Sequence, residues 1–140
     1  MPASGVILSD ECVKAFNELK LGKTLRYVIY TFNSNNTEIV VEHKSDSGDW
    51  EDFTAKLPEN ECRYAVYDVK YEKGGDGVRS KLVFIFWAPD TAKVKSKMVS
   101  ASSKDTIRRA LNGVGIEVQA TDSSEVEYDA VLEKVQRLGF

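Results

Sequence analysis

The chain has one histidine, two cysteines and three prolines in 140 residues, and each scarcity removes a class of function. A lone histidine, His43, excludes a multi-histidine metal site. Cys12 and Cys62 show no CxxC or Cys/His spacing; they read as small buried hydrophobes in a reducing compartment rather than as a disulfide or a reactive thiol. Positive charge is not in excess: 19 Lys and Arg against 22 Asp and Glu give a net charge of -3, which argues against a nucleic-acid partner. No stretch approaches the roughly 20 apolar residues that span a bilayer. The leading MPASGVILSDE carries neither a basic region nor an apolar run of signal-peptide length. A cytosolic protein is expected.

Catalytic patterns are missing as well. There is no GxSxG and no P-loop; Gly74-Gly-Asp-Gly77 lacks the lysine and the helix start that cradle a phosphate. His43, between Glu42 and Lys44 on a strand, is expected to be exposed rather than catalytic. Asp68 interrupts an apolar strand, where a satisfied structural carboxylate is expected before a general base. Nothing anchors an enzyme, a metal or a cofactor.

What is present suits one globular domain, with 42% hydrophobic and 29% charged residues. Residues 1–8 read as an extended, flexible arm. Ser9 offers a helix cap with Asp10 and Glu11 in the first turn; Val13, Phe16 and either Leu19 or Lys20 follow at helical spacing, and Gly22 ends the run. Strands are expected at 24–32 and 37–44, joined as a hairpin through the turn cluster Asn33-Ser-Asn-Asn36. Trp50, Phe53 and Leu57 suit a short helix ending at Pro58. Further strands follow at 61–71 and 79–87, and the unbroken Leu82-Val-Phe-Ile-Phe-Trp87 predicts burial on both faces. A long helix from Ala88-Pro89-Asp90 to Asn112, a short strand at 114–119 and a last helix capped by Thr121 or Ser123 complete the chain. The expected architecture is α/β: about five strands covered by helices.

The long helix carries a conflict. At about 100° per residue from Lys93, Val94, Met98 and Ala101 fall near 80–140°, while Ile107, Ala110 and Leu111 fall roughly at 260–360°. One straight helix cannot aim both groups at one sheet. The change falls across Ser100-Ala-Ser-Ser103, and serines bend helices by bonding back to the preceding turn. A kink or break is predicted there, the alternative being two helices joined by a loop. The same segment holds Lys93, Lys95, Lys97, Lys104, Arg108 and Arg109, which reads either as a solvated face or as a basic ridge for an acidic partner.

Several segments resemble the actin-depolymerising factor/cofilin family: SGV at 4–6, AFNELKLGK at 15–23, TEIVVE at 37–42, LPENECRYAVYD at 57–68, and RSKLVFIFWAPDTAKVKSKMVSASSKDTIRRALNGV at 79–114. The resemblance spans nearly the whole chain and is closer to fungal than to vertebrate members. It implies a single actin-depolymerising-factor homology domain over 4–138, with a five-stranded mixed sheet, helices on both faces and a kinked long helix. It also implies a monomeric, non-catalytic protein without cofactor or metal. Such a protein would bind actin monomers and filament sides, prefer ADP-bound subunits, and sever and depolymerise filaments at cortical actin structures.

By matching position, the resemblance assigns Ser4, Gly5, Val6, Lys95, Lys97, Met98, Asp105, Arg108 and Arg109 to a monomer-binding surface. Arg79, Lys81, Glu133, Lys134 and Arg137 go to a filament-binding surface. Glu133 and Arg137, four apart on a helix, could equally form a plain surface ion pair. Lys104, Arg108 and Arg109 would meet phosphoinositide headgroups, which inhibit the family, and Ser4 aligns with its regulatory phosphorylation site. Two departures matter. Lys95 stands where fungal relatives commonly have arginine, which keeps the charge but loses bidentate pairing. Glu72-Lys-Gly-Gly-Asp-Gly77 stands where vertebrate members carry a lysine-rich nuclear signal, which puts import by that route in doubt. Related modules of the glia-maturation-factor or coactosin type are the alternative.

Overall fold

The computed structural model describes residues 6–22, 25–72, 75 and 77–138. In chain order they form β1 (Ile7–Leu8), α1 (Asp10–Asn17), a π-helical turn (Glu18–Gly22), β2 (Tyr27–Phe32), β3 (Glu38–Ser45), α2 (Trp50–Thr54), β4 (Arg63–Glu72), β5 (Val78–Trp87), α3 (Val94–Ala110), β6 (Ile116–Ala120), a 3-10 turn (Ser123–Val126) and α4 (Tyr128–Leu138). The strands make one mixed sheet in the order β1-β3-β2-β4-β5-β6. The two outer pairs, β1 with β3 and β5 with β6, are parallel; the inner pairs are antiparallel.

Local chemistry sets the element ends. The Ser9 side chain caps α1 by accepting from the Glu11 amide at 3.1 Å. Asp49 caps α2 in the same way. At the β2–β3 turn the Asn33 side-chain oxygen accepts from the Thr37 and Glu38 amides at 2.9 and 3.2 Å, and Asn36 takes the left-handed conformation at φ 56°. The π turn after α1 shifts the helical phase so that Leu19 is buried at 1% exposure, while Lys20 reaches the Asn112 carbonyl at 2.8 Å.

Alternation along the strands builds two cores. On one face Tyr27, Ile29, Ala65, Tyr67, Val83, Ile85 and Trp87 pack under α2 and α4. On the other, Val28, Tyr30, Tyr64, Val66, Phe84 and Phe86 pack under α1 and α3. Val83 to Trp87 are all buried on the interior strand β5, as their unbroken apolar run predicts.

Several expectations change, among them the start of the long helix, which is Val94 rather than Ala88-Pro89-Asp90. The sheet has six strands rather than five, because Ile7–Leu8, placed in the flexible arm, pairs with the edge of β3 through Ile7 N to Thr37 O and Ser9 N to Ile39 O, both 3.0 Å. The last helix begins at Tyr128, and Asp122, not Thr121 or Ser123, caps the 3-10 turn ahead of it by accepting from the Ser124 and Glu125 amides. The loop-and-two-helices alternative for the long segment is excluded, since α3 runs unbroken from Val94 to Ala110.

Candidate functional site

The phase conflict in α3 is resolved by exposure of one apolar group. Ser100, Ser103 and Ile107, with Leu111 just beyond the helix, are buried. At about 100° per residue they share a single arc, near 280–360° on the scale used above. Val94 and Met98, on the opposite arc, are 68% and 67% exposed, and Ala101 is exposed too. The helix therefore does not aim two groups at the sheet, and the argument for a kink loses that premise. The serine run still holds the contacts that pull on helical carbonyls: Ser102 Oγ donates to Val99 O at 3.1 Å, and the buried Tyr64 hydroxyl donates to Ser100 O.

The candidate residues of α3 fall into two stripes. Lys95, Met98, Asp105 and Arg109 are exposed and lie with Val94 on the outward arc. Lys97, Lys104 and Arg108 lie on a flank, each partly buried and each engaged. Lys97 Nζ donates to Asp90 O at 3.2 Å. Lys104 and Arg108 both meet the Glu117 carboxylate of β6, at 3.1 and 3.5 Å. Their stems cross the sheet aromatics, with Lys104 Nζ 5.9 Å from the Phe86 ring centre and the Arg108 guanidinium carbon 6.0 Å from that of Phe84. Arg109 is about 100° further round the helix than Arg108. The three residues expected to meet phosphoinositide thus divide between two stripes.

Val6, expected on the monomer-binding surface, is only 2% exposed and sits in the α1/α3 core. It directly precedes β1, which packs against α3. Ser4 and Gly5 lie outside the described residues.

The filament-surface candidates share the opposite side of the sheet. Strand alternation places Arg79 and Lys81 on the same side as Val83 and Ile85, which pack toward α4. Gly115 leaves room for the Lys81 stem, since a Cβ there would stand 2.9 Å from its side-chain carbons. Lys134 Nζ on α4 donates to Glu117 O at 2.8 Å. Glu133 and Arg137 pair at 3.0 Å and are 63% and 60% exposed, so within this chain they form the plain i, i+4 surface pair. Glu117 went unnoticed in the sequence. Its side chain holds two cations of one candidate surface and its carbonyl holds one of the other; the available signal was an acid flanked by apolar residues in a strand, Ile116-Glu117-Val118.

Elsewhere, His43 is exposed on β3, 3.9 Å from Glu42. Asp68 is half-buried, and its backbone bonds to Arg26. Both cysteines are free and buried. Burial pushes the Cys12 thiol up to about 11 and also raises that of Cys62. Among the described residues, no three His, Cys, Asp or Glu side chains gather to hold a metal, and no helix is long and apolar enough to cross a membrane.

Comparison with known proteins bears on the chain as a whole. Residues 5–136 match the family model described as cofilin/tropomyosin-type actin-binding protein. The chain is 58% identical over 137 residues to cofilin of Schizosaccharomyces pombe, covering 98% of this chain and 99% of that one. It is 56% identical over 138 residues to cofilin of Mycosarcoma maydis, covering 99% of each. The crystal structure of Streptomyces griseoflavus cofilin superposes with a TM-score of 0.91 at 56% identity, over 95% of this chain and 98% of that one.

Proposed function

Since the chain belongs to the cofilin/tropomyosin-type family of actin-binding proteins, we propose that it binds actin monomers and filament sides, severs and depolymerises filaments, and so drives their turnover. The observation that carries this reading is the outward arc of α3: Val94 and Met98 stand more than two-thirds exposed among Lys95, Asp105 and Arg109. Apolar side chains held in water beside exposed charge suit a docking surface. The protein acts by binding, not by catalysis, as a single domain. A ligand that binds one filament twist better than another shifts the filament toward it. Strain at boundaries between decorated and bare segments then breaks the polymer. Arg79, Lys81, Glu133, Lys134 and Arg137 form the second, filament-only contact on the α4 side. Preference for ADP-bound subunits and residence at cortical actin structures belong to the same reading.

Phosphoinositide binding through Lys104, Arg108 and Arg109 competes with actin for the α3 cations. Phosphorylation of Ser4 would add about -1.5 to -2 charges to a protein whose partner is acidic and weaken the contact; a Ser4→Asp variant that pellets with filaments as wild type does contradicts this. The central test is filament co-sedimentation with time-resolved imaging of Lys95→Ala/Lys97→Ala beside wild type. Weakened pelleting and slower severing are expected. Unchanged capture and breakage would refute the assignment of α3.

A further inference from the structure

A concave surface lies at the carboxyl ends of the parallel strands β5 and β6, where open α/β sheets commonly leave a crevice. It encloses about 920 Å³ between Trp87, Pro89 and Thr121 at the strand ends, α2 and the start of α4. Its floor is apolar, built from Trp50, Leu57, Trp87 and Val126. Both indole N–H groups are already committed, Trp50 to Val126 O at 2.8 Å and Trp87 to Pro58 O at 2.7 Å, so the rings offer only carbon surface to an occupant.

The rim has one sign of charge. Asp49, Glu51, Glu59, Asp90, Asp122 and Glu127 surround the floor, and no Lys, Arg or His is among the described residues that line it. Asp49 and Asp122 are engaged as caps. Among the described residues, no ion pair reaches Glu51, Glu59, Asp90 or Glu127; the nearby Lys97 binds the Asp90 carbonyl instead. Clustered carboxylates over a low-dielectric wall focus a negative potential that an incoming cation relieves.

We propose that this groove docks a short segment of a partner protein in which basic residues alternate with aliphatic ones. The aliphatic side chains cover the tryptophan floor, and the basic ones meet the unpaired carboxylates of the rim. The volume sits at the upper end of the roughly 300–1,000 Å³ typical of ligand sites, more than one lysine or arginine side chain fills, which favours a run of several residues. This docking is independent of the actin reading and is tested without actin.

The molecule carries its own reporter. Its only two tryptophans, Trp50 and Trp87, both line the groove, so intrinsic fluorescence follows occupancy. The full chain is titrated with a short peptide alternating arginine and leucine, a matched arginine–glycine peptide, a glutamate–leucine peptide and spermine. A saturable one-to-one change with the arginine–leucine peptide is expected, weakened about tenfold in Glu59→Gln/Glu127→Gln and unchanged in the control Asp46→Asn/Glu72→Gln. Among the described residues Glu59 and Glu127 have no ion pair to lose, and neutralising them relieves repulsion within the rim, so melting temperatures equal or exceed the wild-type value. Absence of a saturable change overturns the proposal. So does equal weakening in the two variants, or equal binding of the arginine–glycine peptide or of spermine, because charge alone would then explain the signal. Concentration-dependent self-association in sedimentation also overturns it, by making a second copy the occupant.

Discussion

Replacing Glu117 by glutamine tests whether the α3 cations are held in check from within the fold. In the native protein one carboxylate, 29% exposed, faces Lys104 at 3.1 Å and Arg108 at 3.5 Å. Glu117→Gln keeps the shape and removes the charge, leaving two cations without their counter-ion. If they meet anionic headgroups, the surface gains one net positive charge, worth about 1 kcal/mol near an anionic membrane. By the usual conversion that is roughly fivefold tighter binding. Stability should fall modestly, by about 1 kcal/mol, because both pairs are partly solvated. The assay is sedimentation with vesicles containing phosphoinositide, with denaturant unfolding in parallel. Binding equal to or weaker than wild type, in a variant that unfolds as a native protein does, would refute the claim that Glu117 restrains this stripe. Lys104→Ala and Arg108→Ala added to the variant should reverse the gain.

Two further outcomes are expected. The folded Cys12 thiol stays protonated up to about 11, whereas its ordinary value is 9.0; the unfolded chain therefore releases that proton first, and stability falls as pH rises through this window. Urea unfolding between pH 8 and 11 should show a shallower alkaline loss in Cys12→Ala than in wild type. Glu133→Gln/Arg137→Gln removes an exposed pair, so stability should change by no more than about 0.5 kcal/mol, while co-sedimentation with filaments weakens and monomer binding does not. Parallel loss of both bindings would remove these residues from a filament-only surface.

The parts of the fold legible in the sequence are those written in local chemistry. The Ser9 cap, the Asn33 turn and the buried run of β5 depend on residues a few positions apart, and all appear where the sequence places them. The two-residue β1 was illegible because two residues show no period, and its pairing rests on β3, thirty residues away. The π turn hides for a similar reason: one inserted phase step matters only once Leu19 finds the core and Lys20 finds Asn112. Among the site residues, alternation and helical phase place side chains on a face but do not say who meets them there. Lys104 and Arg108 read as free cations until β6 brings Glu117 beneath them. The acidic groove was invisible because its rim is gathered from three separate stretches of the chain.

The conflict of phase in α3 carries more information than its expected solution by bending. A helix whose apolar residues fall on two sides must deform or leave one side in water. Here small serines fill part of the inner arc, with Ser100 at 2% and Ser103 at 0% exposure, and Val94 and Met98 are left outside. Burying a valine or methionine side chain fully is worth about 1.5–3 kcal/mol. The isolated domain forgoes that gain, which is recovered only when another surface covers the arc. Met98→Ser should therefore leave unfolding free energy within about 0.5 kcal/mol of wild type, as exposed positions do. Its filament affinity should fall by about 1 kcal/mol or more, roughly fivefold. A core residue would show the reverse, losing stability first and binding only through it. If Met98→Ser melts early, or if it binds filaments as wild type does, the outward arc is not the docking face and the apolar residues there need another explanation.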